Sequence, residues 1–170
     1  MIKLGAAELR TAKVSDEQRK KIKKNPIYIV LDNVMDTYNI GSIFRLADAV
    51  AAEKVILCGQ TETPPHTRIK KASINTTEWV EWEHFDTAKS AIKNLRVIAV
   101  EQDKRSIAYD QADYSFPIAL VVGHETTGVS KEVLDLADQI VEIPMWGVNK
   151  SLNVMVSLGI VLYRMMENFR

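Results

Sequence analysis

Five polar residues stand where they could do chemistry, in three separate stretches of the chain. Asn39 and Arg45 lie in NIGSIFR, Glu125 lies in GHETTG, and Ser151 and Asn153 lie in SLNV. An arginine held by a helix at the rim of a cleft can meet a phosphate or a reacting hydroxyl. Beside Phe44 and Ala47, Arg45 can equally be a snorkelling surface side chain. Asn39 can satisfy open amides at a helix start, and Gly41 permits close backbone approach. Glu125 follows directly on an apolar strand, where a lone carboxylate is either structural or functional. Ser151 and Asn153 suit a helix start without further explanation. Gly147 and Asn149 before them point to a wrapped loop whose backbone groups face inward. Such a loop can recognise a purine through amides and carbonyls, with Ile143, Met145 and Leu152 as an apolar wall.

Several other chemistries find no support. GHETTG has neither the GKS/T ending of a phosphate-binding P-loop nor the G-x-G-x-x-G fingerprint. No G-x-S-x-G elbow accompanies a serine, so a serine nucleophile is not expected. His66, His84 and His124 are scattered, and no metal site is expected. Cys58 is the only cysteine, which rules out an intrachain disulfide and fits a reduced, cytoplasmic setting. Formal net charge is 0 over 170 residues, but residues 1–75 carry +5 and residues 76–170 carry −5. The positive half holds RKKIKK, with Arg19, Lys20 and Lys21, and RIKK, with Arg68, Lys70 and Lys71. Each cluster alone reads as solvated surface; together they could make salt-sensitive phosphate contacts. Trp79, Trp82 and Trp146 could stack on bases, although core packing suits at least two of them.

The elements that must position these residues follow from hydrophobic spacing. Residues 8–24 read as a helix or lead-in. Ile27–Leu31, Lys54–Gly59, Leu95–Gln102, Ile118–Gly123 and Gln139–Pro144 read as strands. Ile40, Ile43, Phe44, Ala47 and Val50 or Ala51 share one helical face. Residues 59–73, with Pro64 and Pro65, read as loop; Trp79–Trp82 suits strand or helix; residues 88–94 and 130–138 read as short helices, the second capped by Ser130; and residues 151–169 form a long apolar helix. Short apolar strands separated by helices imply an α/β fold, a mostly parallel sheet with helices on both faces. Ligands of such sheets sit outside the carboxyl ends of the strands, where all three polar-glycine loops fall. No apolar run reaches the roughly 18 residues of a membrane span, and the first residues lack a secretory apolar core.

NIGSIFRLADA, LVVGHETTGVS and IPMWGVNKSLNVMVS resemble, in order and spacing, the three motifs of the SpoU/TrmH-type RNA 2′-O-ribose methyltransferases of the SPOUT class. The resemblance runs from about Pro26 to Met165, and RIKKASINTTEWVEWEHF is similar to the family's usual link. One departure is Met155-Val156-Ser157, where SVA is usual. The resemblance implies a C-terminal deep trefoil knot that makes an S-adenosylmethionine pocket. It assigns Asn39, Arg45, Glu125, Ser151 and Asn153 to catalysis. It places Val100, Gly123, Ile143, Met145, Ser151 and Leu152 around the cofactor. It implies a homodimer with the first-motif helix and the final helix near the interface. Residues 1–25 then form a short basic extension and residues 26–170 the methyltransferase domain. Substrate choice would rest on the basic clusters, the dimer groove, the C-terminal end or an accessory protein.

The implied reaction moves a methyl group to a ribose 2′-oxygen of RNA, with tRNA mildly preferred over rRNA. Arg45 is a troublesome base, because a guanidinium stays protonated to above pH 12. Its expected work is to orient the ribose and steady developing negative charge. Two rivals stand beside this reading: a SPOUT enzyme that methylates a base, and a non-catalytic RNA-binding or assembly protein with the same fold.

Overall fold

The computed structural model describes residues 14–167 together with positions 3, 5 and 8. Part of the lead-in expected over residues 8–24 therefore lies outside the described residues. Its described helix, α1, is Asp16–Lys20, with Ser15 and Gln18 forming a reciprocal capping box.

Among the described residues seven strands form one sheet in which every pairing is parallel. They are β1 (Asn25–Asp32), β2 (Ala52–Cys58), β3 (Trp82–Phe85), β4 (Arg96–Val100), β5 (Ile107–Ala108), β6 (Ile118–Gly123) and β7 (Gln139–Glu142). Their spatial order is β3-β2-β1-β6-β4-β7-β5. The chain steps outward from β1 through β2 to β3, jumps past β1 to β4, and later returns to fill the gap with β6. That jump makes β1 and β6 the centre, where the sheet changes direction. Of Trp79–Trp82 only Trp82 is strand, opening β3, while residues 79–81 follow a 3₁₀ turn at Thr76–Glu78; β5 is a strand that hydrophobic spacing did not indicate.

Strand side chains alternate between two cores, as the pleat requires. Ile29, Leu31, Leu120 and Val122 face the core shared with helices α2 (Thr37–Ala49) and α6 (Val154–Met166). Val30, Ala119 and Val121 face the opposite core with α4 (Ala88–Ala91) and α5 (Lys131–Leu134). Each fully buried Val, Leu or Ile contributes about 1.5–3 kcal/mol. All of β6 is buried, so its carboxyl end is a fixed point.

One expectation fails here. Residues 59–73 are not all loop, because Thr67–Ser73 form helix α3. The His66 side chain caps it by accepting from the Arg68 amide, and Ile69, Ala72 and Ser73 are buried. Two prolines and a dense charge run hid a short amphipathic turn whose stability comes from packing on α2. Gly41 makes that packing possible: a Cβ there would lie 2.6 Å from Ala72 Cβ and 2.7 Å from the Ile69 carbonyl. Two smaller corrections concern caps. Asp36, not Asn39, caps α2, its Oδ1 accepting from the Tyr38 amide at 2.7 Å. Ser130 stands before α5 but makes no side-chain cap; its amide donates instead to buried Asp32 Oδ2 at 2.8 Å.

Candidate active site

The buried end of β6 launches the GHETTG loop. Gly123 has no room for a side chain, since a Cβ would meet the Gly128 backbone at 2.2 Å. The loop closes on itself, His124 and Gly128 exchanging amide-to-carbonyl bonds of 3.1 and 2.8 Å. His124 Nδ1 accepts from the amides of Thr126 and Thr127, at 2.9 and 3.4 Å, and shapes the turn between them. Glu125 is thereby thrown across to the loop after β1. Its carboxylate accepts from the amides of Met35 (3.1 Å) and Asp36 (3.0 Å) and from Asn39 Nδ2 (2.9 Å).

Asn39 is the hinge of the arrangement. It sits inside the first turns of α2 and is 2 % exposed. A carboxylate only accepts, so the Asn39 nitrogen must face Glu125 and its oxygen is left to accept elsewhere. That oxygen receives Asn153 Nδ2 at 3.0 Å. Asn153 Oδ1 in turn caps α6 by accepting from the Met155 amide at 2.9 Å. Glu125, Asn39 and Asn153, from three distant parts of the chain, form one hydrogen-bonded line. Partial burial is the largest single influence on the Glu125 carboxyl and pulls its pKa upward. Donation from Asn39, Met35 and Asp36 outweighs it, so the group lies below its ordinary value of 4.5.

Beside this line opens a cavity of about 450 Å³ at the carboxyl ends of β4, β6 and β7. Val100, Ile143, Met145 and Leu152 give it apolar surface, and Gly123 and residues 149–152 line it as well. Its size is typical of a small-molecule site. Among the described residues no group of three or more His, Cys, Asp or Glu could hold a metal ion, and no helix is long and apolar enough to cross a membrane.

Residues 26–163 match the model of the family described as the SpoU rRNA Methylase family. The chain belongs to that family. It is 32% identical over 152 residues to a tRNA (guanosine(18)-2′-O)-methyltransferase of Aquifex aeolicus, covering 83% of this chain and 69% of that one. It is also 32% identical to the 23S rRNA (guanosine-2′-O-)-methyltransferase RlmB of Ralstonia nicotianae, across 87% of this chain and 61% of the relative. Among solved structures, an AdoMet-bound rRNA methyltransferase from Sinorhizobium meliloti superposes with a TM-score of 0.80 at 28% identity. That match covers 89% of this chain and 60% of that one, so the chain spans about three fifths of the length of some of its relatives.

All six residues that the SpoU resemblance puts around a cofactor line the cavity: Val100, Gly123, Ile143, Met145, Ser151 and Leu152. Of the five assigned to catalysis, Glu125, Ser151 and Asn153 line it as well, and Asn39 stands behind them. Arg45 does not line it. It is exposed on the stripe of α2 that also carries Tyr38 and Ala49, because residues seven apart on a helix share a face. The basic clusters are likewise separated. Arg68, Lys70 and Lys71 ride on α3, which packs against Gly41 near the site end of α2. Arg19, Lys20 and Lys21 precede the opposite end of β1, about 20 Å away along the strand. Trp79 is buried with its indole donating to Asp48 at 2.7 Å, Trp82 packs on the core, and Trp146 is 92 % exposed.

Sequence reasoning passed over two residues that line the cavity directly after Val100, namely Glu101 and Gln102. A signal was present: a polar pair following an apolar strand at the ligand-facing edge of a parallel sheet.

Proposed function

We propose that this SpoU-family chain transfers a methyl group from S-adenosylmethionine to a ribose 2′-hydroxyl of RNA. The observation that carries the proposal is the Glu125–Asn39–Asn153 line, which ties all three motifs together beside a cavity of suitable size. The cavity's chemistry fits the cofactor. Val100, Ile143, Met145 and Leu152 would meet its apolar parts, and the backbone edges at Gly123 and residues 149–152 its adenine. Bound there, it supplies an electrophilic methyl carried on a sulfonium.

The chain's own residues must prepare the nucleophile. A ribose hydroxyl is weak until its proton leaves, before or during attack. Arg45 orients the ribose and an adjacent phosphate and stabilises the oxyanion charge. Glu125 and Asn39 hold the start of α2, and so the helix that carries Arg45, in fixed register with the cavity. Ser151 and Asn153 fix the cofactor loop. Because Arg45 lies off its own chain's cavity, the reading calls for a homodimer in which Arg45 of one copy completes the site of the other. Apolar surface supports such an interface: Tyr38 is 65 % exposed on α2, and Val156 and Tyr163 are 40 and 56 % exposed on α6.

The threaded C-terminus belongs to the same proposal. The segment from β4 to β6 runs out to β5 beyond β7 and back, and residues 143–153 would pass inside that circuit on their way to α6. Gln102 Nε2 donates to the Lys150 carbonyl and Arg164 Nη2 to the Asp110 carbonyl, both of which support a passage held from within the circuit. Residues 26–170 would be the methyltransferase unit and residues 1–25 a basic extension, working in the cytoplasm. The α3 cluster is the first candidate for RNA contact, with Arg19, Lys20 and Lys21 reaching a more distant part of the same RNA. The relatives divide between tRNA and 23S rRNA, so both are candidate substrates. An accessory protein could add selectivity.

The test is transfer of labelled methyl from S-adenosylmethionine to tRNA and to rRNA fragments, followed by digestion to nucleosides. A 2′-O-methylnucleoside is expected; a methylated base, or no transfer to either RNA, overturns the proposal. At equal cofactor occupancy, Arg45→Ala should slow single-turnover transfer by about 10²–10³-fold. An unchanged rate would remove Arg45 from the mechanism.

A further inference from the structure

Two consecutive side chains at the end of β4 bond to the two loops that flank the cavity. Glu101 Oε2 accepts from the Val129 amide at 2.9 Å, while Oε1 accepts from the Gln102 amide at 2.8 Å. The Glu101 amide donates to the Val141 carbonyl of β7 at 3.0 Å. The carboxylate fills the space where Gly128 has no side chain; a Cβ on Gly128, whose φ is +71°, would stand 2.0 Å from Oε2. Gln102 is exposed, yet its Nε2 donates to the Lys150 carbonyl in the middle of the loop after β7. Glu101 thus holds the base of the GHETTG loop, and Gln102 holds the loop that leads into Ser151.

We propose that Glu101 and Gln102 are positioning residues, a strut that sets the distance between the two cofactor loops before the methyl donor arrives. The proposal rests on the reading of the cavity as the S-adenosylmethionine site. The physical ground is preorganisation: loops already held at the bound separation lose less freedom on binding. Neither side chain needs to touch the reacting atoms. Their effect is on donor affinity, and it acts through Gly128–Val129 on one side and Lys150–Ser151 on the other.

Substitutions at the two positions separate the possibilities. Gln102→Met removes the donor from an exposed position, while Gln102→Lys keeps a donor of similar reach. Glu101→Gln turns one of the two accepting oxygens into an amide nitrogen. Calorimetry with S-adenosylmethionine should give about tenfold weaker binding for Gln102→Met and Glu101→Gln, with Gln102→Lys near wild type, tenfold being about 1.4 kcal/mol. In turnover, KM for the donor should rise with kcat at saturation within about twofold of wild type. Amide exchange of residues 124–130 in Glu101→Gln and 147–153 in Gln102→Met should quicken in the free protein and return to the wild-type rate with saturating donor. Donor affinity unchanged in Gln102→Met overturns the strut, as does a fall in kcat with KM constant. If Glu101→Gln does not fold, the Gln102 pair decides alone. A wild-type protein that never binds the donor would sink the cofactor reading. The exchange comparison of the free proteins would still score the strut.

Discussion

Asn39 carries more of the site than its neutral side chain suggests. Asn39→Ala would leave Glu125 and Asn153 each short of a partner, at a cost of about 1–3 kcal/mol. Differential scanning calorimetry should show that loss, and transfer activity should fall with it. The same substitution changes a titration. Because the folded Glu125 carboxyl lies below 4.5, its stabilising contribution is fully present above pH 4.5 and disappears as pH falls through the folded value. Removing the Asn39 donor raises that folded value, so in Asn39→Ala the carboxyl should protonate at higher pH, as NMR titration of Glu125 would report. Cys58 makes the opposite kind of prediction. Burial, and then the nearby Asp32 charge, push its thiol up to about 12, so the folded protein should resist alkylating reagents at pH 8. Labelling of Cys58 should follow unfolding; rapid labelling of native protein would contradict its burial.

Elements are held in register by contacts that leave almost no tolerance. Gly41→Ala would force α2 and α3 apart by the width of a methyl group, against backbone as well as side chain. The expected cost is about 1–3 kcal/mol, read as a lower midpoint in urea, with RNA affinity reduced because α3 carries Arg68, Lys70 and Lys71. The sequence announced Gly41 as a point of close approach but gave no hint of its neighbour, since α3 was hidden behind Pro64 and Pro65. Buried strands were the plainest feature to read. Ile118–Gly123 has no polar residue before its glycine, and such a run has little choice but the middle of a sheet. Caps were harder, because Asp36, Asn39, Ser130 and Asn153 are all chemically able to cap. Only the fold decides that Asp36 and Asn153 do so while Asn39 turns inward to Glu125.

At the scale of the molecule, charge and copy number become testable. Contacts from Arg68, Lys70 and Lys71 should make RNA affinity fall steeply as salt rises, and their removal should flatten that dependence. Mixing Arg45→Ala with Asn153→Ala should restore transfer, since a mixed dimer then holds one cavity with intact lining and an intact arginine opposite it. Inactivity of the mixture, with exchange of subunits demonstrated, would place Arg45 on its own chain's site. Motifs in a sequence name the residues of a site but not the face each one presents, which is why Arg45 read both as a surface side chain and as part of the site. The line from Glu125 through Asn39 to Asn153 has one more implication, for timing. Its members are separated by 86 and 114 positions, so α2 waits for a side chain delivered 114 residues later. A chain interrupted between residues 142 and 153 would own every strand of the sheet and still lack the bond that closes its reaction centre. Competence for chemistry would therefore arrive all at once, as the final helix docks, and half-made copies would never modify RNA.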